Sequence, residues 1–236
     1  MTAISPHLPQ ELVEEIIAQA WGLQLSANER ILLMTSLPLV SRSVLGAYIR
    51  ISSIDIHIPS SSYAETFLQT LREGAPRYPT PRTMSAAADL CSSISFEIVQ
   101  RNPTLRAKHW STEPPMGVVL SDLLYSLRLF GDLPNFRTLT IRYVDVDIND
   151  IFDWARFIDF PRTVEWLVLE YRQTEVDVPQ PKIIITPPPP SRSPHISLWT
   201  LPFLKHLRVS GGSEEVVSRL ASSAPNLKTL RHDVGR

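Results

Sequence analysis

The sequence predicts an α/β protein in which short amino-terminal helices precede parallel strands that alternate with helices. Two observations carry this reading. Residues 8–17 and 37–42 join helix-spaced apolar residues to charged ones. Farther along, Phe136-Arg137-Thr138-Leu139-Thr140-Ile141, Val164-Glu165-Trp166-Leu167-Val168-Leu169 and Leu204-Lys205-His206-Leu207-Arg208-Val209 each place apolar residues at positions 1, 4 and 6. Leu227-Lys228-Thr229-Leu230 begins the same pattern again, and helical stretches fall between the copies.

In chain order, Pro9 stands at a helix start, where its missing amide proton costs little. Helical spacing predicts Leu12, Ile16 and Ile17 on one side, with Glu11, Glu14 and Glu15 keeping the other wet. After Gly22, residues 27–36 and 39–49 supply two more short helices, with Ile31, Leu32, Leu33, Val40, Val44 and Leu45 available for burial. Three helices of this size bury too little surface to be stable alone. Ile54, Ile56 and Ile58 alternate with polar residues, as do Ile94, Phe96 and Ile98, so both segments read as strands with one buried side. A helix is expected from Tyr63 to Arg72 and a loop over 74–83, where Pro76, Pro79 and Pro81 cluster. Asn102-Pro103-Thr104-Leu105 echoes the later turn signals.

Residues 118–130 and 213–224 predict helices, the second with Ser213 as its cap before Glu214 and Glu215. Each later strand follows a proline-bearing turn: Leu133-Pro134-Asn135, Phe160-Pro161, Leu201-Pro202-Phe203 and Ala224-Pro225-Asn226. Residues 178–194 carry seven prolines, four of them consecutive at 187–190, and predict an extended surface insertion.

Leu8-Pro9-x-Glu11-Leu12, a helical run, and then Leu39-Val40-Ser41-Arg42 resemble the F-box family. The resemblance covers residues 6–50. It implies docking to a Skp-family adaptor, which attaches a substrate receptor to a cullin-RING ubiquitin ligase. Matched residue by residue, the adaptor-binding positions are Leu8, Pro9, Leu12, Ile16, Val40 and Arg42. The chain departs from the family in carrying Val44 where a tryptophan is usual and in a long first connection, residues 22–30. An ordinary helical cap that docks nothing is the alternative.

The recurring turn, strand and helix resemble a leucine-rich repeat, which implies a solenoid whose parallel strands line a concave surface. The predicted fold is thus a short three-helix F-box-like module over 6–50, followed over 51–236 by an irregular leucine-rich-repeat solenoid with the insertion at 178–194. Leu139, Leu167, Leu207 and Leu230 are separated by 28, 40 and 23 residues, and the family's frequent Asn after the strand is replaced by Val144, Arg172 and Gly212. A non-repetitive α/β domain is the competing reading.

Residues between the apolar positions of such strands point away from the core. Arg137, Arg142, Trp166, His206, Arg208 and Lys228 are the candidate client-binding residues, with Trp166 the natural anchor. From Asp132 to Asp177 there are ten acidic residues and five arginines, whereas residues 182–236 hold eight Lys or Arg and three acidic residues.

Composition narrows the function classes. With 23 Lys plus Arg against 24 Asp plus Glu, no broadly basic nucleic-acid surface is expected. Cys91 is the only cysteine, so neither an intrachain disulfide nor a multi-cysteine zinc site is possible. No signal segment or membrane span is evident, and the expectation is an intracellular protein, cytoplasmic or nuclear. The six histidines lack an i,i+4 pair, Gly211-Gly212-Ser213 lacks the lysine of a phosphate-binding loop, and Asp145, Asp147, Asp150 and Asp153 lack calcium-loop spacing. The expectation is no metal, no cofactor and no bond chemistry. The sequence thus predicts a substrate-recognition subunit that tethers an unknown client protein to the ligase, or alternatively a scaffold that uses the repeats without ligase docking.

Overall fold

The computed structural model describes residues 8–73, 89–99, 116–130, 133–145, 160–173 and 200–234. Among them are six helices: α1 (Gln10–Gly22), α2 (Ala27–Val40), α3 (Arg42–Ile54), α4 (Ser61–Glu73), α5 (Met116–Phe130) and α6 (Glu214–Ser222). The strands are β1 (Asp55–Ile58), β2 (Ser93–Val99), β3 (Thr138–Val144), β4 (Trp166–Arg172), β5 (His206–Ser210) and β6 (Thr229–Asp233). They form one parallel sheet in chain order, so the α/β expectation holds. The chain divides into two compact units, residues 1–95 with 132–136, and residues 96–131 with 137–236. The expected module boundary at residue 50 falls inside α3, which runs without a break into β1.

In the first unit, α1 and α3 pack through Val13, Ile17 and Ala47, with Leu37, Val44 and Ile51 against them. Leu12 and Ile17 therefore do not share a face as the sequence reading has it. One residue is a rotation of about 100°, so Val13, Ile17 and Trp21 form the buried stripe while Leu12 and Ile16 lie beside it in solvent. Pro9 is the cap residue just outside α1, and its carbonyl accepts from the Leu12 and Val13 amides.

The connection to α2 is only residues 23–26, shorter than expected, because Ser26 and Glu29 form a capping box that starts the helix at Ala27. Two hydrogen bonds from Ser26, the backbone one the stronger, hold the Glu29 carboxyl below its usual range. The expected break near Pro38 is absent. Pro38 removes one amide donor, but the half-buried turn tolerates that loss and α2 runs to Val40; Ser41 then caps α3 by accepting from Val44.

A polar knot closes the end of α1. Arg30, buried, donates to the carbonyls of Trp21 (2.7 Å) and Leu23 (2.7 Å), satisfying acceptors that the helix end leaves open. Its guanidinium lies 5.0 Å from the centre of the Trp21 ring, and the Trp21 indole donates to the Asp55 carbonyl at 2.8 Å. His57 and Tyr48 meet the Trp21 ring edge-on. The Asp55 carboxylate accepts from Ser93 and stands 3.1 Å from His57 Nε2, close but poorly aligned for a hydrogen bond. Burial pushes the Asp55 carboxyl up, yet His57, Ser93 and Arg30 together outweigh it and leave the group below its usual range.

In the second unit, β3 to β6 pair in register: Leu139 with Leu167, Leu167 with Leu207, Leu207 with Leu230. The expected leucine column is present, fully buried over its first three members and 46% exposed at Leu230 on the last strand. One backbone pattern recurs at each entry. Phe136, Val164, Leu204 and Leu227 donate back to Leu133, Pro161, Leu201 and Ala224, closing the turn. Pro161 therefore occupies the first turn position, one place ahead of Pro134, Pro202 and Pro225. Next, one carbonyl accepts two amides of the following strand: Arg137 from Glu165 and Trp166, Glu165 from Lys205 and His206, Lys205 from Lys228 and Thr229.

The same pattern reaches the early strands. Cys91, Ile94 and Phe96 reproduce the 1, 4, 6 spacing with all three buried, and the Ser92 amide bonds to the Ile54 carbonyl as Glu165 does to Arg137. Asn135 and Asn226, at the same turn position, donate to the carbonyls of Asp89 and Pro202 at 2.7 Å.

Beyond the leucines, Tyr143 and Tyr171 stack at 5.1 Å, and the next register position is Gly211 with φ +75°, where a Cβ would stand 2.5 Å from the Tyr171 carbonyl oxygen. Only glycine combines that backbone with that approach. α5 and α6 match the expected helices, α6 with Ser213 accepting from Val216 as its cap. Residues 74–83, 102–105, 147–153 and 178–194 lie outside the described residues, so the proline-rich insertion, most of the aspartate cluster and the Asn102-Pro103 turn have no structural account.

Candidate protein-docking surfaces

The first surface belongs to α1 and α2. Helical spacing sets Leu12 and Ile16 on a stripe next to the buried Val13, Ile17 and Trp21, and exposed Leu8 precedes the cap residue Pro9. Leu12 is 51% and Ile16 58% exposed, while Ile17 beside them is almost fully enclosed. α2 adds Leu32, Leu39 and Val40, all exposed, and its only buried residue is Arg30. A helix that hides one arginine and presents several large aliphatic side chains is poorly explained by the packing of its own unit. All six sequence-predicted adaptor-binding residues, Leu8, Pro9, Leu12, Ile16, Val40 and Arg42, are exposed. Leu32 and Leu39 were not among them. Their signal was an apolar composition with almost no amphipathic pattern, which is ambiguous between a fully buried helix and an unpartnered one. On the polar side of α1, Glu14 pairs with Arg50 and Gln10 accepts from Ser43, tying α1 to α3.

The second surface is the side of the sheet opposite the leucine column. Register sets Thr138, Trp166, His206 and Thr229 in one row, then Thr140, Val168, Arg208 and Arg231, then Arg142, Glu170, Ser210 and Asp233. Trp166 and His206 stack at 3.8 Å with planes 18° apart, and His206 Nδ1 lies 2.6 Å from the Thr229 hydroxyl. Trp166 remains 46% exposed. Arg142 bonds to Glu170 at 3.0 Å, where Arg172 also reaches, so most of its side chain is spent within the sheet. Arg208 pairs with Asp233 at 3.2 Å. Arg137 and Lys228 sit one residue before their strands, in a row with Glu165 and Lys205 that adjoins the Trp166–His206 row. The Lys205 hydrogen bond at 2.7 Å, then the charges of Lys205, Arg137 and His206, keep the Glu165 carboxyl below its usual range. Sequence spacing thus found Glu165, Trp166, His206 and Arg208 together; it did not place Arg231, Glu170 or Asp233 with them, because residues more than twenty positions apart become neighbours only through the register.

Among the described residues no three His, Cys, Asp or Glu side chains cluster to hold a metal ion, and no helix is long and apolar enough to cross a membrane. Cys91 is buried, and burial, reinforced by the Asp55 charge, pushes its thiol up to about 12, far from a nucleophilic thiolate. Comparison with protein-family models, with curated proteins and with solved structures returned no match.

Proposed function

We propose that this protein is a non-catalytic substrate-recognition subunit of a cullin-RING ubiquitin ligase. In this reading α1 to α3 are an F-box-like module that binds a Skp-family adaptor, and the sheet with its intervening helices is an irregular leucine-rich repeat that holds a client protein. The observation that carries it is exposed Leu12 and Ile16 directly beside the buried Val13 and Ile17, on the helix that the Leu8-Pro9-Gln10-Glu11-Leu12 segment opens, with Leu8 exposed ahead of it. Leu32, Leu39 and Val40 are further exposed apolar residues, on α2 of the same module. The repeat half is supported by parallel strands in chain order and, on each of β3 to β6, one leucine aligned in register and the same turn hydrogen bond ahead of the strand. The mechanism is tethering: holding client and ligase on one chain raises the local concentration of one at the other.

Co-purification of the full chain with a matched Skp-family adaptor tests this. The wild type is expected to bind. Leu12→Asp puts a charge into the apolar contact and is expected to weaken binding at least about a hundredfold, without changing the fold because Leu12 is already half in water. Absence of wild-type binding refutes adaptor docking and leaves a repeat scaffold as the surviving reading.

A further inference from the structure

The charge on the outer side of the sheet and on the row just ahead of its strands points to the kind of client segment it fits. Residues 137–144, 165–172, 205–210 and 228–233 together carry seven Lys or Arg and three Glu or Asp, a surplus of four in a chain whose formal net charge is −1. All three carboxylates are already engaged: Glu165 by Lys205, Glu170 by Arg142 and Arg172, Asp233 by Arg208. Lys228 and Arg231 are exposed and have no carboxylate partner among the described residues. Arg231 is moreover the register partner of Arg208. Like charges directly opposite each other on paired strands repel, and Asp233 neutralises only one of the two. Beside these two cations lies the Trp166–His206 stack, whose indole is half-exposed.

Resting on the reading of the sheet as the client surface, we infer that β4 to β6 bind an acidic segment of a client protein. Its carboxylates pair with Lys228, Arg231 and Arg208, and an apolar side chain lies on Trp166. A protein segment fits better than a nucleic acid. A run of phosphates would meet Glu165, Glu170 and Asp233 on the same strands, whereas separate acidic side chains reach the cations one at a time. Relief of the Arg208–Arg231 repulsion is gained only in the complex, so it adds to specificity for negative charge.

The test is selection of a random dodecapeptide display library on the full-length protein, followed by anisotropy measurements on the enriched peptides and on a fluorescein-labelled uridine dodecamer. Enriched peptides are expected to be acidic with at least one apolar residue. Their binding should weaken about tenfold or more on raising salt from 0.05 to 0.5 M, fall about tenfold in Lys228→Glu/Arg231→Glu and in Trp166→Ala, and persist in Leu12→Asp. All four sites are exposed, so the variants keep the wild-type circular dichroism. Enrichment of neutral or basic peptides, no enrichment, acidic binding unchanged in the double variant, or tighter binding of the uridine dodecamer than of any peptide each overturns the inference. Adaptor binding is read on the same preparations, so a failed client surface and a failed ligase module are told apart.

Discussion

Cys91 shows how a single residue is assigned by its place rather than its chemistry. It fills the first apolar position of its strand entry, where the later units have Phe136, Val164 and Leu204. A small buried thiol serves there as a hydrophobe. Its raised pKa leaves almost no thiolate at neutral pH, so reaction with a disulfide reagent at pH 8 is expected to be at least about a hundredfold slower in the native protein than in guanidinium. Comparable rates would place the thiol at the surface. Asp55 carries a pH dependence of definite sign. Because its folded pKa is depressed, its contribution is complete above the ordinary aspartate value of about 4 and is lost as pH falls through the lower folded value. Asp55→Asn, measured by thermal unfolding from pH 6 to pH 2.5, is expected to flatten the fall in stability below about pH 4. A curve parallel to the wild type at every pH removes Asp55 from the account.

At the scale of elements, the leucine column grades from enclosed to open, and stability should follow. Leu207→Ala removes a side chain packed between two neighbouring strands and is expected to cost about 2–5 kcal/mol, whereas Leu230→Ala, half in water on the last described strand, should cost about half as much or less. Denaturant unfolding of the two variants measures the difference, and equal losses would mean that Leu230 is covered in solution. The strand pattern was legible because three copies obey the same 1, 4, 6 spacing with a proline turn ahead of each. The β1 and β2 segments were legible as strands with one buried side, but not their 1, 4, 6 spacing, because Ser53 and Cys91 stand at the first position where later units carry a large apolar residue, and β1 follows α3 without any turn. The amino-terminal helices were legible as helices but not as faces. Two apolar stripes lie side by side on α1, and only packing against Ala47 and Val44 decides which goes inside. The break expected between residues 36 and 39 is absent because Pro38 falls in the last turn of α2, which ends two residues later at Val40.

For the molecule as a whole, the two proposed surfaces lie on different compact units and share no residue. Tethering requires only that both ligands be held at once; it needs no signal from one surface to the other. Substitutions without shared partners add to within about 0.5 kcal/mol, so the two binding events should be independent. An acidic peptide selected on the sheet is therefore expected to bind with the same affinity, within about twofold, whether or not a Skp-family adaptor is present at saturation. Leu12→Asp should change only the adaptor affinity, and Lys228→Glu/Arg231→Glu only the peptide affinity, in a double-mutant cycle read by titration calorimetry. Linkage makes the measurement stringent, because any coupling seen from the adaptor side must appear equally from the peptide side. A reciprocal change of about tenfold or more would show that adaptor docking reshapes the client surface, and the protein would then be an allosteric receptor rather than a passive tether.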